Sequence, residues 1–209
     1  MIVLGLDTCL ASCSVAVRDG EQVLASAREV MARGHQERLA PMAQAVMAEA
    51  GLSFDKLDRI AVTVGPGSFT GLRVGIAFAK GLALALDLPT VGVGSLEALG
   101  AEADGLVFAV VDARRGQVYL QGFEDGRALM APDALTAETA AARIAELSMG
   151  RPLTLVGSGA PLVEPLTPGA RVILSEGADA RQVARLAAGR EPKPLKPLYL
   201  RAPDAKLPA

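Results

Sequence analysis

The stretch IVLGLDTCLASCSVAVRDGEQVL at residues 2–24 returns, loosened, as VFAVVDARRGQVYLQGFEDGRAL at residues 107–129. In each copy an apolar run ends in an aspartate, at Asp7 and Asp112, and a second β-rich run leads to an Asp-Gly pair, at 19–20 and 125–126. Asp-Gly between two such runs signals a two-residue hairpin turn, because both residues tolerate the positive φ that the turn demands. The chain therefore opens as a meander over 2–6, 14–18 and 22–28, and its second half repeats one ββ unit.

Working outward, a helix is predicted near 36–50, where Leu39, Met42, Val46 and Met47 share one face and Gly51 supplies the stop. Pro41 must sit in its first turns or kink it. A strand at 59–64 runs into Gly65-Pro66-Gly67, a helix covers about 70–86, and Leu88-Pro89 ends it before a strand at 90–93. Further on, a helix at 137–148, strands at 153–157 and 171–174 and a helix at 180–188 fill the second half less regularly. The expected division is an N-terminal lobe over 1–100, a C-terminal lobe over 101–191 and an extended tail over 192–209. A doubly wound sheet would alternate strand and helix from the start, which the opening meander contradicts. Two lobes that each begin with a hairpin and an acidic turn resemble instead the two-lobed α/β layout of the actin-like ATPase (ASKHA) fold, where phosphates lie between the hairpins. On that layout Asp7, Thr8 and Asp112 are candidates for nucleotide contact. Ser68, at a helix start, would serve an anion or a capping turn equally well.

Composition narrows the chemistry. Of 209 residues 51% are hydrophobic but only 3% aromatic, so Ala, Val, Leu and Ile build the core and base stacking is a weak basis for binding. The net charge of −2 hides a C-terminal segment, 181–209, with 7 basic and 2 acidic residues. Its Arg181, Arg185, Arg190, Lys193, Lys196 and Arg201 read as a solvated helix face and a proline-rich tail. Cys9 and Cys13 stand without partners for a metal set or disulfide framework and read as small buried residues. A single histidine, His35, excludes any two-histidine metal site on this chain alone, and no complete nucleophile elbow, Walker loop or dinucleotide fingerprint is present. The N-terminus lacks a basic leader, and no apolar run approaches the roughly 20 residues of a membrane span. A cytoplasmic protein with no membrane association is expected.

The helix near 70–86 carries the partner expectation. Gly71, Gly75, Ala79 and Ala83 recur every fourth residue as a bare ridge, and only Arg73 and Lys80 are charged. A helix apolar nearly all round must be covered on more than one side, by its own sheet and either by a second chain or by the 36–50 helix of the same lobe. The expected interface joins that ridge, with Leu72, Arg73 and Ile76, to the face of Leu39, Met42, Val46 and Met47.

Six segments together resemble the TsaB (YeaZ) family: GLDTCLASCSVAV (5–17), HQERLAPM (35–42), GPGSFTGLRVGIAFAKGLA (65–83), VGVGSLEAL (91–99), DARRGQVY (112–119) and PLYLR (197–201). The resemblance implies a non-catalytic subunit that pairs with TsaD through N-terminal-lobe helices, assembles further with the ATPase TsaE, and self-associates through the same surface when alone. It implies no cofactor of its own, with ATP or ADP only at the level of the complex, and tRNA met only through the complex. The reaction supported would be threonylcarbamoyl transfer to N6 of adenosine 37 in tRNAs reading codons that begin with A, catalysed by TsaD. Catalytic relatives carry a metal-binding HxxxH where this chain has Ser95 and Leu99, so neither a catalytic residue nor a metal ligand is assigned. They also carry a glycine-rich turn where this chain has Ala113-Arg114-Arg115. The alternative is an enzyme in its own right, a nucleotide-dependent transferase or a peptidase, resting on Asp7, Thr8 and Asp112.

Overall fold

The computed structural model describes residues 1–201. The first half runs β1 (Ile2–Asp7), β2 (Ser12–Asp19), β3 (Gln22–Val30), α1 (His35–Glu49), β4 (Arg59–Thr63), α2 (Phe69–Leu86), β5 (Thr90–Val93) and α3 (Ser95–Gly100). The second half runs β6 (Leu106–Arg114), β7 (Gln117–Glu124), β8 (Arg127–Ala128), β9 (Asp133–Thr136), α4 (Ala137–Ser148), β10 (Thr154–Val156), α5 (Ala160–Val163), β11 (Arg171–Ile173) and α6 (Ala180–Ala188). The first sheet is ordered β3-β2-β1-β4-β5 and the second β8-β7-β6-β10-β11, with β9 also on β7. The two orders are the same, so the repeat extends from one ββ unit to the whole half-chain. The second half is as regular as the first; β8, β10, β11 and α5 are two to four residues long, too short to show a period.

The hairpins form where the Asp-Gly pairs predict, with one shift. Asp19 pairs with Gln22 as the last residue of β2, so the first loop is Gly20-Glu21, after a bulge between Val17 and Arg18. Asp125 and Gly126, at φ 48° and 78°, are the loop between β7 and β8. β1 and β4 lie side by side in parallel, apolar on both faces as buried parallel strands require.

α1 and α2 cover one face of the first sheet. Leu39, Met42, Val46 and Met47 are each at most 2% exposed in the first-lobe core. The Gly71–Ala83 ridge also points inward: a Cβ at Gly71 would stand 2.1 Å from the Thr8 carbonyl oxygen, and one at Gly75 would stand 2.5 Å from Thr8 Oγ1. Leu72, Ile76, Ala79 and Ala83 are buried beside them. The expected partner interface is corrected here: of its residues only Arg73 is exposed, because the small ridge lets α2 approach its own β1 turn rather than another chain.

The opposite face of each sheet is covered by the other half's last helix. α6 packs on β1, β2 and β4, and α3 packs on β6 and β7. Gly5, at the centre of β1, makes the first contact feasible, since a Cβ there would stand 2.3 Å from the Ala180 carbonyl oxygen. Arg59 of β4 ties down the far end of α6, its Nη1 donating to the carbonyls of Ala187 at 2.6 Å and Arg190 at 2.7 Å. Helix 180–188 therefore completes the N-terminal lobe rather than the lobe to which its sequence position assigned it. The segment after it runs back along the first sheet: Lys193 N donates to the Thr90 carbonyl, Leu195 enters the first-lobe core, and Leu198 N donates to the Val64 carbonyl at 2.7 Å. The rest of the tail, 202–209, lies outside the described residues.

Candidate functional site between the lobes and along the second helix

A cleft of about 560 Å³ lies between the two hairpins, with Leu10, His35, Ser68, Asp112, Tyr119 and Glu176 among its walls. His35 opens α1, largely buried, and its Nε2 lies 3.1 Å from the Leu10 carbonyl oxygen. A carbonyl only accepts, so Nε2 carries the proton and the ring pins the loop after β1. Asp112 turns inward on its own hairpin, with Oδ1 accepting from Arg114 N at 2.7 Å and Oδ2 lying 3.3 Å from Arg114 Nη1. Ser68 accepts from Gly71 N at 3.3 Å and is the N-cap of α2.

Asp7 and Thr8 do not line this cleft. Both are fully buried, and Thr8 Oγ1 donates to the Gly71 carbonyl at 2.7 Å. Asp7 Oδ1 accepts from Thr63 Oγ1 at 2.6 Å and from Cys9 N at 3.2 Å, while Oδ2 has no hydrogen-bond partner among the described residues. Gly177 closes over it: a Cβ there would stand 1.9 Å from Ser12 Oγ and 3.2 Å from Asp7 Oδ2. Arg28 of β3 holds this plug, its Nη2 donating to Ser175 Oγ at 2.8 Å and to the Gly177 carbonyl at 2.5 Å. Burial pushes the Asp7 carboxyl up to about 6. The expected phosphate contact by Asp7 and Thr8 is thus corrected; of the four candidates Asp112 and Ser68 line the cleft. Cys9 and Cys13 are buried thiols, and burial raises both, Cys13 to about 12.

Ser95 and Leu99, which stand where the resemblance implies two histidines in catalytic relatives, have structural partners. Ser95 Oγ donates to the Pro66 carbonyl and its backbone N to the Gly65 carbonyl, so it pins the Gly-Pro-Gly turn. Leu99 is fully buried with Leu96, Val107, Val111 and Phe123 between the lobes. This donor set does not fit a metal, and among the described residues no three His, Cys, Asp or Glu side chains converge on one.

The solvent face of α2 lies opposite the buried ridge. Phe69, Arg73, Ala77, Lys80, Gly81, Leu84 and Ala85 are exposed, Leu84 at 87%. Ala77, Gly81 and Ala85 form a second four-residue ridge, which the sequence carries but cannot distinguish from the first. A Cβ at Gly81 would meet nothing within 4 Å among the described residues, so no contact there explains a mid-helix glycine. With 18 residues at mean hydropathy 1.5, α2 is long and apolar enough by composition to cross a membrane, closer to a span than its charged residues suggest. Its ridge against β1 and β4 is nevertheless that of a core helix. At its start, the Phe69 and Tyr199 rings lie 5.5 Å apart, Arg73 stacks 3.6 Å over Phe69, and Arg73 Nε donates to Tyr199 Oη at 3.3 Å.

Comparison with known proteins agrees with this architecture. Residues 23–158 match the family model described as TsaD, tRNA N6-adenosine threonylcarbamoyltransferase. An uncharacterized protein of Mycobacterium bovis is 37% identical over 98% of this chain and 93% of its own length. The tRNA threonylcarbamoyladenosine biosynthesis protein TsaB of Escherichia coli is 40% identical over 57% of this chain and 53% of its own. The solved YeaZ of Pseudomonas aeruginosa superposes with a TM-score of 0.80 at 31% identity, covering 90% of each chain. At 14% identity, a ROK hexokinase of Thermus thermophilus, with a TM-score of 0.52 over 88% of this chain and 97% of its own, shows the fold alone, which is the actin-like ATPase fold. Shared over nearly its whole length with the Pseudomonas structure, these features mean that the chain belongs to the TsaB (YeaZ) family.

Proposed function

We propose that this chain is the non-catalytic partner subunit of a TsaD-type tRNA N6-adenosine threonylcarbamoyltransferase, working in the cytoplasm in the biosynthesis of threonylcarbamoyladenosine on tRNA. The observation that carries the reading is the pair Ser95 and Leu99, one spent on a turn and the other on the interlobe core, where a catalytic relative needs metal ligands. Catalysis then belongs to TsaD, and ATP or ADP acts at the level of the assembly with TsaE. Reconstitution tests this directly: TsaD and TsaE should fail to modify tRNA until this chain is added, and full modification without it would overturn the proposal. The enzyme alternative rested on Asp7, Thr8 and Asp112; Asp7 and Thr8 are sealed and Asp112 alone of the three lines the cleft. Calorimetry of the isolated chain with ATP and Mg²⁺ should give no tight binding and no hydrolysis.

The docking surface in this reading is the open face of α2 beside α1. A mid-helix glycine costs about 1 kcal/mol relative to alanine, and close approach by a partner helix is the compensation that Gly81 invites. The same face would join two copies of the chain when TsaD is absent. Gly81→Leu should leave the fold intact and abolish copurification with TsaD. Retained binding by that variant would refute the placement.

A further inference from the structure

The small-residue row on the open face of α2 does not stop at Ala77. Counting back in fours from Ala85 gives Gly81, Ala77, Arg73 and Phe69, all exposed, so one row runs nearly the length of the helix. Its first two positions are occupied from within the chain. Tyr199 lays its ring 5.5 Å from that of Phe69 and accepts at Oη from Arg73 Nε at 3.3 Å, while the Arg73 guanidinium stacks 3.6 Å over Phe69. The C-terminal segment therefore covers one end of the face that a partner helix would use.

This segment is held unequally along its length. Pro192, Pro194 and Pro197 supply no backbone donor and restrict φ, and residues 191–199 form neither helix nor strand. Ahead of Tyr199 the segment is anchored: Leu195 is buried in the first-lobe core, and Leu198 N donates to the Val64 carbonyl at 2.7 Å. Gly65 lets the backbone pass this closely, since a Cβ there would stand 2.6 Å from the Leu198 carbonyl oxygen. Past Tyr199, Arg201 donates to the Ala113 carbonyl at the end of β6, so the segment reaches from the first lobe to the second. Tyr199 itself is 42% exposed, on a Phe69 that is 41% exposed. A half-exposed ring pair and one long hydrogen bond make a weak fastening next to a firm anchor, and contacts of this kind open far more readily than a core.

We propose that the C-terminal segment is an internal competitor for the docking face of α2: Tyr199 occupies the Phe69–Arg73 end of the row, and a helix docking along the row displaces it. The inference rests on the docking surface proposed for TsaD. Two states follow. With Tyr199 seated, the segment ties the start of α2 to the second lobe. With a partner seated, Phe69 and Arg73 face the partner and the segment is released from Tyr199 onward, while Leu195 keeps its base beside the sheet. Docking is thereby transmitted to the mouth between the lobes, because the contact at Ala113 belongs to the released part. The apparent affinity for a partner is lowered in proportion to the fraction of chains in which the seat is free.

The test uses the full chain carrying Tyr199→Ala, with TsaD as the partner. Removing the competitor should tighten TsaD binding about three- to tenfold, the equilibrium equivalent of one aromatic pair. Unchanged or weaker binding would overturn the proposal. In the isolated chain, in dilute solution, the substitution should accelerate hydrogen exchange in 198–201 and leave the strands of the first sheet unchanged, which also verifies the fold. No acceleration would mean that Tyr199 fastens nothing. TsaD added to the parent chain should slow exchange in 73–85 and speed it in 198–201; slowing in both would make Tyr199 part of the interface and end the competition. Failure of the parent chain to bind TsaD would sink the docking reading and the displacement with it, whereas the fastening would still stand or fall on the isolated chain, so the two failures are distinguishable.

Discussion

Asp7 shows how one carboxyl can serve a fold at a cost that depends on pH. Its Oδ1 joins β4 through Thr63, while Oδ2 is buried against Gly177, where the backbone of Ala178 and the charge of Arg28 offset only part of the cost of burial. Burial raises its pKa from 3.8 to about 6, so the folded state holds the proton that the unfolded chain releases. The stabilisation is complete below pH 4 and is lost as the pH rises through 6, a fall of about 3 kcal/mol for two units. Asp7→Asn keeps an acceptor for Thr63 and Cys9 and removes the ionisation. Its urea midpoint should match the parent near pH 4 and exceed it at pH 8; a parent curve with no decline between these values would contradict the burial. Two glycines of α2 form a matching contrast. Gly75→Leu would drive a side chain into Thr8 and Val62 and should cost more than 3 kcal/mol or prevent folding, whereas Gly81→Leu enters open space and should raise the thermal midpoint slightly.

At the scale of elements, the sequence specifies where helices and strands form more firmly than it specifies what they face. The periodicities of α1 and α2 locate both helices, and the meander locates β1 to β3. Direction is another matter: α2 carries one small-residue ridge at Gly71–Ala83 and another at Ala77–Ala85, and period alone treats them alike. Thr8, which decides between them, lies more than sixty residues earlier in the chain. Asp7 is similarly legible as a strand-end aspartate but not as a sealed one, since its plug, Ser175–Asp179, comes from the far end of the second half. α6 reads correctly as a helix, but its place on the first sheet depends on contacts that no local pattern contains. Arg59 tests that placement. Arg59→Met should remove the charge-assisted bonds to the Ala187 and Arg190 carbonyls, costing about 1.5–3 kcal/mol. Hydrogen exchange should accelerate first in 180–190; uniform acceleration throughout the chain would refute a local tie.

The whole molecule is two copies of one topology that are not two independent folding units. Each sheet has one face covered by its own helices and the other by a helix from the opposite half. Calorimetry should therefore show a single unfolding transition. A fragment ending near residue 104 should fail to fold, because the α6 face of β1 is left bare while α3 loses β6 and β7. Two resolved transitions, or a stable fragment, would count against the exchange. The repeated opening of the sequence makes the duplication visible; the exchange is not, because it is a relation between ends. It also sets an order of events during synthesis. The first sheet leaves the ribosome unfinished, and the helix that completes it is translated only after the strands of the second sheet. A nascent chain of this protein therefore carries an open apolar surface while the whole second sheet is being made, the kind of surface that chaperones bind.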